Sequence, residues 1–142
     1  MDAFISPRRH EGAKELEGDK EFDAASRRVI GLAIEVHRAL GPGLLESAYE
    51  QCLAHELELN EIPFKRQVPV PVVYKGMKLD CAYRLDLVVA DALVLEIKAV
   101  EKLLPVHGAQ LLTYLKLTGI RAGLLLNFNS EVLRDGMKRV VL

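Results

Sequence analysis

Apolar and polar positions alternate with a period of two from Tyr83 to Val100, YRLDLVVADALVLEIKAV. Tyr83, Leu85, Leu87 and Val89, then Leu93, Leu95 and Ile97, take the odd positions, and alternation along a strand places these side chains on one face. Arg84, Asp86, Glu96 and Lys98 take the even ones. The pattern predicts two short strands joined by the loop Ala90-Asp91-Ala92, with Val89 opposite Leu93 and Asp86 directly opposite Glu96. A slip of one residue would set one strand's apolar side chains against the other's charges, so the pattern itself specifies the register.

The rest of the chain arranges itself around that hairpin. Residues 1–20 show no apolar periodicity and read as a flexible tail. A helix is expected from Glu21, with Phe22, Val29, Ile30, Ala33, Ile34 and His37 on its stripe and Gly41-Pro42 ending it. His37 on that stripe reads as a hydrogen-bonded core residue. A second helix is expected from about Leu44 to Leu59, burying Leu45, Tyr49, Cys52, Leu53, Glu56 and Leu57. Phe64 to Tyr74 alternates as a strand, and Pro69 and Pro71 on one parity point to an edge strand or a strand with one irregular side. Lys75-Gly76 then turns the chain into the strand carrying Asp86, completing a three-strand meander. Pro105 opens a helix that Gly119 closes. Ile120–Phe128 is a nearly continuous apolar run, as expected of a strand buried on both faces. Strand, helix and strand in succession imply a right-handed parallel crossover. MKRVVL ends the chain as a short final strand.

Composition changes this picture little. The 142 residues suit one domain, taken as 21–142, and half of them are hydrophobic. Cys52 and Cys81 stand far apart within apolar patterns and read as reduced core residues. The first residues lack an apolar leader segment and no run is long enough to span a membrane, which points to the cytoplasm. Net charge is −1, unpromising for a nucleic-acid partner. The tail accounts for that: residues 1–23 carry four basic and seven acidic side chains, and residues 24–142 fifteen basic and thirteen acidic.

The chemistry lies in the hairpin. Two carboxylates facing each other at roughly 5 Å repel by about 3 kcal/mol at an effective dielectric near 20. A divalent cation would offset this. Asp86, then Glu96-Ile97-Lys98 one strand later, resembles the signature of the PD-(D/E)XK nuclease superfamily, with Leu85 where that signature has proline. Gly43-Leu44-Leu45-Glu46-Ser47-Ala48-Tyr49 resembles the GxxExxY pattern that names a family of small proteins within it. EVHRALGPG before it and LEIKAVEKL after it are similar too, so the likeness runs from about Val29 to the C-terminus. Gln110 and Tyr114 resemble the superfamily's QxxxY pair.

The resemblance implies an αβββαβ core, a mixed central sheet flanked by helices, here with an extra N-terminal helix. It implies a Mg²⁺- or Mn²⁺-dependent nuclease acting on DNA in preference to RNA. Asp86, Glu96, the Ile97 carbonyl and Glu46 would hold the metal, with Lys98 completing the catalytic set. Tyr49, Gln110 and Tyr114 would position substrate. The competing reading is a catalytically silent module that binds nucleic acid or a protein partner. A third is a symmetric homodimer that supplies the binding surface a small domain lacks.

Overall fold

The computed structural model describes the backbone of residues 17–80 and 83–142, and side chains from residue 24 onward except at 81 and 82. The expectations for residues 1–16, for Phe22 and for Cys81 lie outside the described residues. Helix α1, Glu17–Leu40, begins four residues before the expected start. Helix α2 is Glu46–Leu59. Strand β1, Phe64–Val70, is followed by two very short strands, β2 (Val73–Tyr74) and β3 (Met77–Lys78). Then come β4, Tyr83–Val89, and β5, Leu93–Lys98. Helix α3, Pro105–Thr118, leads to β6, Ala122–Asn127. A 3₁₀ turn, Leu133–Gly136, precedes β7, Met137–Val141.

Five strands form one mixed sheet in the order β1-β4-β5-β6-β7. β5 and β6 are parallel, and the other neighbours antiparallel. Pro69 of β1 sits on an edge strand, as its missing N–H group requires. Pro71 and the β2–β3 hairpin interrupt the expected single strand to Tyr74, so that strand stops at Val70.

The apolar faces explain the layers. From the sheet Leu87, Val89, Leu93, Leu95 and Ile97 pack with Leu124, Leu126 and Phe128 against Val29, Ala33, Tyr49, Leu53 and Leu57 of α1 and α2. On the other side Val88, Val94 and Leu125 meet Leu111, Tyr114 and Leu115 of α3. β6 is buried along its whole length because both faces are covered. Gly119 ends α3 at φ 76, a left-handed cap that a side chain resists.

The second helix differs in detail from the sequence pattern. Leu45 is its N-cap and 78% exposed, while Glu50 is buried. His37 is buried, as expected, with Nε2 2.7 Å from the Ser130 carbonyl.

Candidate active site at the end of the β4–β5 hairpin

Val89 pairs with Leu93, Val88 with Val94 and Leu87 with Leu95, the register the alternation predicts. Ala90 and Asp91 make the turn with φ of 52 and 53. Regular pairing stops at Leu87. One step further, the Asp86 N–H donates to Glu96 Oε2 at 3.0 Å, and the Ile97 N–H donates to Asp86 Oδ2 at 2.8 Å. Each carboxylate thus satisfies a backbone amide on the opposing strand. The edge strand lets go at the same place: Arg66 pairs with Leu87 and Val68 with Leu85, while Gln67 between them has φ 51. Asp86 sits where the β5 ladder ends and the β1 ladder skips one pair.

The irregularity has a second effect, and here the structure corrects the sequence pattern. Leu85 packs beneath α3 with Val88 and Val94, and does not join Leu87 on the opposite face. Tyr83 likewise turns toward α3, its ring centroid 6.2 Å from that of Tyr114. Strict alternation therefore holds only from Leu87 onward.

The electrostatics of the pair follow from burial. Glu96 is buried, and desolvation followed by the Asp86 charge pushes its carboxyl up to about 8. Asp86 is raised as well, chiefly by desolvation, opposed by the Ile97 N–H and reinforced by Glu50. Lys98 lies within electrostatic reach of both acids and favours their ionised forms. Two such carboxyls titrate as a unit, each harder to ionise while the other is charged.

Glu46 reaches the same strand from α2, its Oε2 accepting the Ala99 N–H at 3.2 Å. Among the described residues, however, no group of three or more His, Cys, Asp or Glu is close enough to hold a metal. Glu46, expected as a direct or water-mediated ligand, has one carboxylate oxygen engaged with the Ala99 amide. The pair alone offers an all-oxygen, acidic donor set whose mutual repulsion a cation would relieve. That fits a hard ion such as Mg²⁺ retaining several waters.

Tyr49 plays a different part from the one expected. It is fully buried, stacked on Phe128 at 4.6 Å between centroids. Its hydroxyl donates to the Gly41 carbonyl at 2.6 Å and accepts the Leu44 N–H at 3.0 Å. It staples the glycine-proline corner that leads into Glu46, and from the core it has no access to a substrate. Tyr114 is buried beside the pair, its hydroxyl raised by burial and then by the Glu96 charge, while Gln110, one turn earlier on α3, is exposed.

Two contributors escaped the sequence reading. Glu50, buried on α2, accepts from Arg66 Nε at 3.0 Å and from Gln67 Nε2 at 2.9 Å, and its charge acts on Asp86. An acid one turn after Glu46 was the available signal. Asn127, buried at the end of β6, holds the segment after Lys98. Its Nδ2 donates to the Val100 carbonyl at 2.9 Å, and its Oδ1 accepts the Val100 N–H at 3.0 Å. Nothing in the apolar run of β6 signals that clamp.

A mixed sheet whose central hairpin ends in two facing acids and a lysine, followed by a parallel crossover, defines a nuclease-like α/β domain. A family model described as the PD-(D/E)XK nuclease superfamily matches residues 23–140, and the chain belongs to that superfamily. No curated protein and no solved structure matches it. Among the described residues no helix is long and apolar enough to cross a membrane.

Proposed function

We propose that this chain is a metal-dependent nuclease of the GxxExxY type that hydrolyses phosphodiester bonds in DNA. The observation carrying this reading is the break in the ladder at Asp86, which sets two raised carboxyls side by side next to Lys98. A sheet gains nothing from facing acids, so a partner charge is the economical reason for them. Membership of a nuclease superfamily makes phosphodiester chemistry the matching class.

Asp86, Glu96 and the Ile97 carbonyl would hold Mg²⁺ or Mn²⁺, with Glu46 as an added direct or water-mediated ligand. When bound, such an ion supplies Lewis-acid activation of water and neutralises phosphate charge. Lys98, half-buried at the end of β5, stabilises the negative charge that develops on the phosphate. Tyr114 and Gln110 on α3 orient the Lys98 side and the substrate. Glu50, with Arg66 and Gln67, fixes the backbone around Asp86 and acts as a positioning residue.

The test is cleavage with Mg²⁺ and with Mn²⁺ of single-stranded, duplex and branched DNA and of RNA. Metal-dependent cleavage that Asp86→Asn abolishes is the expected result. Absence of cleavage on every substrate, with binding intact, would leave a silent binding module.

A further inference from the structure

The surface beyond the acid pair says how such a substrate is gripped. β1 ends at Val70 and β4 begins at Tyr83, and these two residues pair with each other. After Pro71 the chain leaves the sheet as an arm and folds back as the β2–β3 hairpin, with Val73 opposite Lys78 and Tyr74 opposite Met77. Its apolar side chains are turned outward: Val73 is 60% exposed, Tyr74 59% and Met77 58%. Residues 71–79 carry Lys75 and Lys78 and no acid, with Asp80 following. The Lys75 ammonium lies 5.5 Å from the Tyr74 ring centroid. At the base of the arm, Lys78 and Arg84 line a cleft of about 190 Å³ together with Pro69, Pro71 and Tyr83.

We propose that this arm grips an unpaired nucleic-acid strand, stacking bases on Tyr74 and Met77 and pairing phosphates with Lys75, Lys78 and Arg84. The proposal rests on the nuclease reading for its substrate class and names the strand form that reading leaves open. Aromatic platforms interleaved with cations are how proteins hold single strands, since every base has a face to stack. Bases inside a duplex are already stacked and present no free face. The hairpin's strands, two residues each, are too short to fill a groove as a ribbon. The position suits a feed into the site. Tyr83 contacts Tyr114 across the cleft wall, and three residues along β4, about 10 Å, separate Tyr83 from Asp86.

The experiment is fluorescence anisotropy with a labelled thymidine 20-mer and with a labelled duplex of equal length, in EDTA so that nothing is cut. Single-strand binding should exceed duplex binding. Tyr74→Ala should weaken it about fivefold or more. Replacing Lys75 and Lys78 together with alanine should lower the slope of log K against log salt by about 1.4 for a single strand. These side chains are exposed, so thermal unfolding should match the wild type. Unchanged single-strand affinity in the Tyr74→Ala and double-lysine proteins overturns the proposal, as does tighter binding to the duplex. A wild-type dimer that Met77→Asp or Tyr74→Ala dissociates in sedimentation would also overturn it, by assigning the arm to a second copy. Cleavage by the wild type with unaltered binding in the arm variants removes the arm and keeps the nuclease. Arm-dependent binding without cleavage supports the arm and removes the nuclease.

Discussion

Glu96→Gln is the substitution that asks most of the acid pair. In the folded chain Glu96 keeps its proton to about pH 8, against an ordinary value of 4.5. Between those limits the native state binds more protons than the unfolded chain, so stability falls as pH rises. The stabilising proton is fully present below the unfolded value and lost on passing through the folded one. A shift of that size converts to a ceiling of about 5 kcal/mol, at 1.36 kcal/mol per unit. About 3 kcal/mol is the working expectation, because Asp86 and Glu96 share one mutual repulsion that must not be counted on both. For a chain of this length that is about 10 °C in melting temperature. Gln at 96 keeps an oxygen for the Asp86 N–H but removes the titration. The assay is urea unfolding in EDTA at half-unit steps from pH 5 to 8.5, comparing the two proteins. The wild type should lose stability across that window relative to Glu96→Gln, and Mg²⁺ should restore it in the wild type alone by binding the native state. Parallel profiles for the two proteins would refute the reasoning, because the repulsion argument for a cation depends on this burial.

Lys98→Ala should retain metal-induced stabilisation while single-turnover cleavage falls about a hundredfold, roughly 3 kcal/mol of transition-state stabilisation; equal rates would remove Lys98 from the mechanism. Tyr49→Phe keeps the stack on Phe128 but loses both hydroxyl bonds to the corner, so unfolding should be about 1–2 kcal/mol easier. Hydrogen exchange at the Ala99 amide, which Glu46 protects, should quicken with it. Glu50→Gln should lower the Asp86 pKa, read by carboxyl NMR titration, because a charge that raises it is gone and Arg66 loses its partner.

The fold was legible in the sequence where one physical signal dominated. Alternation predicted the β4–β5 register, Pro69 and Pro71 pointed to an edge or irregular strand for β1, and strand, helix and strand in succession implied the parallel crossover. The misses occur where the chain departs from periodicity. Leu85 obeys the alternation in sequence yet packs beneath α3, because the strand is irregular at Asp86. The β2–β3 arm was hidden because its apolar residues mimic a continuing strand, and only exposure in three dimensions distinguishes them. Leu45 was expected inside and is exposed, and the buried Glu50 was missed, because a helix stripe read from polarity cannot foresee that Arg66 and Gln67 would make a buried acid tolerable.

The same break that defeated the pattern is what makes a site. A regular ladder through Asp86 would satisfy its own amides, leaving the two carboxylates to repel with no structural use. With the ladder open, each acid earns a backbone N–H from the opposing strand, which holds the pair together despite its charge. Burial raises both carboxyls while those amides hold them in place. Glu50 contributes to both sides of this balance. Through Gln67 it holds the edge strand in the left-handed turn that opens the ladder, and through its charge it raises the Asp86 proton affinity. The acid on α2 that bears on Asp86 is therefore Glu50, one turn beyond the Glu46 that the motif singles out.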